Sequence, residues 1–150
     1  MSLTGNSNYF DNFQVGQVLR HVRGKTMCEN DNVGITLQVL NTADAHFNED
    51  VVKDSFGKRL QFGGVTISMI IGLAMQDTGE NAIRELGLDK IRLRSPVFHG
   101  DTLYAYSEVL AINSVDAHSG EITFKHWGVN QNDAIVFEGE RRVLLKKNKP

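Results

Sequence analysis

A lone cysteine, Cys28, among 150 residues leaves no partner for an internal disulfide and no thiolate set for a zinc site. A reducing, cytoplasmic setting is therefore expected. Surplus charge is lacking too. With 16 basic against 18 acidic side chains the formal net charge is −2, so neither nucleic acid nor a membrane surface is called for as a partner. No apolar run reaches bilayer-spanning length, and the opening MSLTGNSN has neither the charged nor the apolar region of a secretory signal. Residues 1–8, small and polar, read as a flexible leader. Internal repeats, low-complexity tracts and linkers are also missing, which predicts one domain over 9–147 and a solvated tail at 148–150.

What remains is an ordinary globular composition, 41% apolar and 23% charged, in a chain long enough to bury roughly 68–70% of its unfolded surface. Tyr9, Phe10 and Phe13 form an aromatic cluster suited to plugging one end of a core. Residues 18–25 alternate like a strand. Thr26-Met27-Cys28-Glu29 has capping-box spacing, and Val33, Leu37 and Leu40 follow at i, i+4 and i+7, predicting a helix over 28–40 with Gly34 as its weak point. Asn48 can cap a short helix over 49–54 that stops near Gly57, with Glu49 and Asp50 favoured in its first turn.

After Gly63-Gly64, Val65, Met69, Ile70, Leu73 and Ala74 define one helical face. Ile67 and Ile71 add apolar character opposite, so this helix is expected to be buried nearly all round. A second helical piece is predicted over 80–86, ended by Gly87. Strands are predicted over 90–97, 102–112, 121–130 and 135–147. In the second of these, Leu103, Ala105, Ser107 and Val109 point one way and Tyr104, Tyr106, Glu108 and Leu110 the other. Together with the early strand they form an antiparallel sheet of about five strands, able to wrap around the apolar helix in an α+β domain. A sheet of that size has open edges, which predicts a two-fold homodimer.

The stretch 41–74 is where chemistry is expected. It sets His46 in a polar loop and closes with the glycine pair that opens the apolar helix. A helix start has unpaired N–H groups and partial positive charge, so Gly63 and Gly64 can stabilise negative charge on a carbonyl oxygen. They can equally be no more than a tight turn that lets the helix pack. His46 is either a hydrogen-bonded structural residue or an acid-base group. Asn41 suits the C-terminal cap of the preceding helix as well as a water-orienting role, and Asp44, two residues from His46, suits a surface acid. Arg92, Arg94, Arg141 and Arg142 can meet phosphates or simply be solvated. His21, His99, His118 and His126 lack metal-ligand spacing, and no metal or other cofactor is expected.

Two local patterns resemble those of the MaoC-like acyl dehydratase family, which includes the R-specific enoyl-CoA hydratases. Phe56-Gly57-x-x-Leu60-x-Phe62-Gly63-Gly64-Val65-Thr66 is similar to the family's FG-x-x-I-x-H-G segment. Ser95-Pro96-Val97-Phe98-His99-Gly100-Asp101-Thr102-Leu103 is similar to its R-P-V-x-x-G-D-T-L hairpin, and Phe13-x-Val15-Gly16-Gln17 adds to the likeness near the start. The resemblance implies a hot-dog fold, a dimer, and reversible addition of water to the double bond of an acyl-CoA thioester without a cofactor. It maps the family's D-x-N-P-x-H loop onto residues 41–46, with the His at His46 but Asn41 at the position of the Asp.

An Asn can hydrogen-bond a water but cannot take its proton. The implied assignment is therefore His46 as proton carrier, an imidazole having an ordinary pKa of about 6.5. Asn41 would orient the water, Asp44 would be a substitute carboxylate, and Gly63 and Gly64 would hold the thioester oxygen. Two other readings stay open. One is a hot-dog thioesterase drawing its carboxylate from Asp44 or Glu49. The other is a non-catalytic acyl-CoA-binding dimer, for which Asn41 is the argument.

Overall fold

The computed structural model describes residues 8–148. The leader expected over 1–8 lies outside these residues except for Asn8, which is buried and donates from Nδ2 to the Asp77 carbonyl at 2.9 Å. At the other end Lys147 is tied down, its N–H on the His118 carbonyl at 2.8 Å and its ammonium on Ser114 Oγ at 2.6 Å.

A short 3-10 turn, Phe10–Asn12, leads into strand β1 (Val18–Thr26), followed by helices α1 (Glu29–Gln38), α2 (Asp44–Phe47), α3 (Glu49–Val52) and α4 (Gly63–Thr78). Strands β2 (Ala82–Leu93), β3 (Thr102–Ser114), β4 (Ser119–Val129) and β5 (Ile135–Lys146) complete the chain. All pairings are antiparallel in one five-stranded sheet of order β1-β3-β4-β5-β2. The sheet curls round α4, the hot-dog arrangement. No helix among the described residues is long and apolar enough to cross a bilayer.

The alternation in β3 is as expected, with Leu103, Ala105, Ser107 and Val109 all facing inward. It feeds two apolar clusters. One, at the end plugged by Phe10 and Phe13, contains Leu19, Val109, Ile122, Phe124, Val143 and Leu145. The other sets Met27, Leu103, Ala105, Val136 and Phe137 against Val65 and Ile70 of α4. Burying each such side chain contributes roughly 1.5–3 kcal/mol relative to exposure. Gly128 is what lets the helix close on the sheet, since a Cβ there would come within 2.2 Å of Ile70 Cδ1.

A polar band separates the clusters, because Ser107 lies between Ala105 and Val109 on the inner face of β3. Its Oγ meets His21 Nε2 and His126 Nδ1, each at 2.7 Å, and His21 Nδ1 meets Asp77 Oδ2 at 2.6 Å. Arg141, 1% exposed, reaches from β5 to Thr78 and to both oxygens of Glu85 on the edge strand. Most of these buried polar atoms are partnered, as burial requires, although His126 Nε2 has no hydrogen-bond partner among the described residues. The band thus links the C-terminal half of α4 to all five strands.

Several local expectations are corrected. Residues 80–86 are not helical: they open β2, which starts at Ala82, because β5 needs a partner for its outer backbone groups and helix propensity is a weak prior against that. The first helix is capped two residues later than expected, with the Asp31 carboxylate accepting from Cys28 N–H at 2.8 Å, while Thr26 bonds Thr102 across the sheet. Its apolar stripe faces outward, Leu37 and Leu40 being 51% and 86% exposed, and polar Asn32 and Thr36 are the buried residues. Asn48 makes no side-chain cap, and α3 ends at Val52. Finally, α4 is buried on one face only, through Val65, Thr66, Ile70, Ala74, Asp77 and Thr78, while Ser68 and Gly72 are exposed.

Burial lowers the His126 pKa to about 3, with Arg141 and then His21 adding to the effect, and burial also lowers that of His21 against the opposing pull of Asp77. The folded His126 ring is therefore neutral well below the ordinary imidazole pKa, so the unfolded chain binds the extra proton there. Stability is intact above the ordinary imidazole pKa and falls as pH drops toward the folded value, by at most about 1.4 kcal/mol per pH unit for His126 alone. In urea unfolding, His126→Asn should lower the midpoint at about pH 7 yet flatten its decline toward about pH 5. Parallel declines in the two proteins would remove His126 as a cause.

Candidate active site

The N-terminal end of α4 opens onto a cavity of about 600 Å³ between the His46 loop and the segment that follows β2. Its walls carry His46, Gln61, Phe62, Gly63, Gly64, Thr66, Ile67 and, from the far side, Leu93, Arg94 and Ser95. His46 belongs to the one-turn helix α2 rather than to an irregular loop, its N–H bonding the Ala43 carbonyl at 2.9 Å. That turn is pinned to the approach to α4 by the Leu60 N–H on the Ala45 carbonyl, at 2.8 Å.

The imidazole itself is oriented from the same place. His46 Nδ1 lies 2.8 Å from the Leu60 carbonyl oxygen, which can only accept. The proton of the neutral ring is therefore on Nδ1, and Nε2 carries the lone pair. The ring leans on Phe62, with centroids 5.7 Å apart and planes at 54°.

Asn32, on the inner face of α1, joins the two halves of the site. Its Nδ2 donates to the His46 carbonyl and its Oδ1 accepts from Phe62 N–H, both at 2.8 Å. Phe62 is the N-cap of α4, and its carbonyl takes the N–H groups of Val65 and Thr66 at 2.9 and 3.4 Å. The N–H groups of Gly63 and Gly64 have no acceptor among the described residues, as the first positions of a helix must. They stand at the positive end of a 16-residue helix. Beneath them the Gln61 amide donates to Thr66 Oγ1 at 2.8 Å, both groups buried.

Of the residues picked from sequence, His46, Gly63 and Gly64 share this cavity, whereas Asn41 and Asp44 are not on its wall. Asn41 follows the end of α1 as the residue after a left-handed Leu40 (φ 58°), its N–H on the Thr36 carbonyl at 2.9 Å. That is a Schellman ending in which Leu40, not Asn41, takes the left-handed position. Asp44 is exposed in the first turn of α2. Glu49 faces Arg59, whose N–H it accepts at 3.4 Å, and no carboxylate lines the cavity among the described residues. No three His, Cys, Asp or Glu side chains gather as a metal site requires among those residues.

Asn32 and Gln61 were missed by sequence reasoning, Thr66 entered it only as part of a motif, and Arg94 only as a residue able to meet phosphates, not as part of the cavity wall. The one available signal for Asn32 was a polar residue inside a helix, four before Thr36. Replacing Asn32 with Ala should cost about 1–3 kcal/mol of unfolding free energy, since Phe62 N–H and the His46 carbonyl lose their partner together. Denaturant unfolding measures it, and an unchanged midpoint would show that the amide bridge carries no weight.

Comparison with known proteins follows the same outline. A family model described as mesaconyl-CoA hydratase matches residues 5–147. The mesaconyl-CoA hydratase of Haloarcula marismortui is 31% identical over 160 residues, covering 97% of this chain and 44% of its own length. The beta-methylmalyl-CoA dehydratase of Chloroflexus aurantiacus is 38% identical over 107 residues, covering 70% of this chain and 30% of its own. Among solved structures, a Mycobacterium tuberculosis protein with a double hotdog fold superposes with a TM-score of 0.86 at 24% identity, over 95% of this chain and 46% of that one. The chain thus spans less than half the length of these relatives.

Proposed function

Because the chain belongs to the mesaconyl-CoA hydratase family, we propose that it adds water reversibly across the double bond of an enoyl-CoA thioester. The observation that carries the reading is that His46, whose Nδ1 is engaged by the Leu60 carbonyl, and Gly63 and Gly64, whose N–H groups have no acceptor among the described residues, line one cavity of about 600 Å³. Addition to a conjugated thioester moves electrons from the double bond onto the thioester oxygen. Two N–H donors at a helix start stabilise that oxygen without having to reorganise.

His46 Nε2 takes a proton as the water oxygen bonds to the β carbon, and the imidazolium so formed can return a proton to the α carbon. The Leu60 carbonyl holds the ring in the productive tautomer throughout. Asn41 and Asp44, off the cavity wall, are given no proton to carry in this scheme. They shape the loop that presents His46, and the Asn in place of the family's Asp leaves the imidazole as the acid-base group of this chain.

Two finer statements complete the reading. Relatives of about twice this length support a second hot-dog unit, here a second copy, against the open face of α4 and the exposed edge β2. The single Cys28 supports a reducing, cytoplasmic setting. A thioesterase is less well served, since Asp44 and Glu49, its candidate carboxylates, do not line the cavity.

His46→Ala should reduce turnover of an enoyl-CoA substrate about 10²–10⁴-fold, followed as loss of the enoyl absorbance. Asn41→Ala and Asp44→Ala should each stay within about fivefold of the parent. Wild-type turnover by His46→Ala would end this assignment, and release of free thiol instead of loss of the enoyl band would redirect it to thioester hydrolysis.

A further inference from the structure

The reaction cavity does not stop at its own rim, because Arg94 forms part of its wall and also part of a second recess on the sheet. That recess, about 270 Å³, is bounded by Lys90, Arg92 and Arg94 of the β2 segment and by Lys125 of β4, with Gly139 and two acids, Glu138 and Glu140, from β5. Four cations against two carboxylates is a local surplus of positive charge in a chain whose net charge is −2. Such a concentration in a concave place attracts anions well beyond what the average surface does.

The pairing inside the groove shows which cations are committed. Glu138 holds Arg94 Nε at 2.6 Å and Lys125 Nζ at 3.4 Å, and Glu140 holds Lys90 Nζ at 2.8 Å. Hydrogen bonding from Arg94, and then from Lys125, keeps the Glu138 carboxyl below its ordinary pKa, so it remains charged and the cations around it stay aligned. Arg92 is different. It donates from Nη1 to the Ile91 carbonyl at 2.8 Å and has no carboxylate partner among the described residues. Its exposed guanidinium keeps most of its fork for a planar or tetrahedral anion.

We infer that this groove receives the phosphates of the coenzyme A moiety, with Arg92 as the principal contact and Arg94 as the wall shared between the carrier's anionic tail and the acyl cavity. The inference rests on the hydratase reading for what fills the cavity. Coenzyme A carries a pyrophosphate and a ribose phosphate, and a thioester whose oxygen lies at Gly63 and Gly64 must send its carrier out past the cavity rim. Lys90 and Lys125 add diffuse positive charge, while Glu138 and Glu140 oppose close approach on the β5 side and so press the anion toward Arg92.

Two measurements test it on the whole protein. Titration calorimetry with free coenzyme A, with its dephospho form and with pantetheine reads the groove without any turnover. Arg92→Ala should weaken coenzyme A binding about tenfold, Arg92→Lys should restore part of it, and pantetheine should bind both proteins alike. Kinetics then compare an enoyl-CoA with the same acyl group on N-acetylcysteamine. Arg92→Ala should raise KM for the first about tenfold and spare the second. Equal coenzyme A affinity in parent and Arg92→Ala, or equal losses with both thioesters, would overturn the groove. So would coenzyme A binding indifferent to Arg92 together with Arg92-dependent turnover of acyl carrier protein thioesters. If the parent hydrated nothing yet bound coenzyme A in an Arg92-dependent way, the groove would stand and the hydratase reading would fall.

Discussion

One buried amide holds the candidate site together. Asn32 donates to the His46 carbonyl and accepts from Phe62 N–H, so the turn bearing the imidazole and the start of the central helix cannot drift apart without breaking both bonds. The Leu60 carbonyl then fixes the ring and its tautomer from the same short segment. The imidazole and the pair of free N–H donors are held in place by backbone groups and one side chain, Asn32. The inner face of α1 is polar for this reason, and its one leucine, Leu37, is left outside.

The other end of α4 is held differently. The band of Asp77, His21, Ser107 and His126, with Arg141 beside it, crosses the core between two apolar clusters. A purely apolar interface would tolerate sliding of a helix along a curved sheet. A chain of directed hydrogen bonds in low dielectric has one register, and moving α4 by a turn would strand several of its members without partners. Specificity of this kind comes with a built-in sensitivity, since burial holds the pKa of two of the members, both imidazoles, below the ordinary value.

What lies outside this framework points away from the protomer. The outer face of α4 exposes Ser68 and Gly72, and β2 leaves Ile83, Leu88 and Leu93 about half exposed along an unpaired edge. A solved structure with the same fold carries two such units in one chain. The same strand turns its basic side chains toward the groove next to the cavity, so one element serves as edge, as cavity wall and as charged margin.

The strands were legible wherever alternation was strict, as in β3, because inward and outward positions have a period that no other element shares. The helix opening at Gly63-Gly64 and the placement of His46 near it were legible from the glycine pair and from the resemblance carried by the flanking motifs. Residues 80–86 were not legible, since Glu, Arg and Leu suit a helix locally and only the unsatisfied edge of β5 makes them a strand. Asn41 and Asp44 were placed by the resemblance of residues 41–46 to the family's loop, which was blind to a Schellman ending that turns the chain at Leu40. Sequence alone therefore determined most of the strands and the apolar helix behind Gly63-Gly64, which follow from local pattern, and the resemblance singled out His46 as the candidate histidine. Which side chains share the cavity, that Asn32 ties it together, and that Arg94 stands between it and a cationic groove were decided only by tertiary structure, where contacts between residues distant in the chain are made.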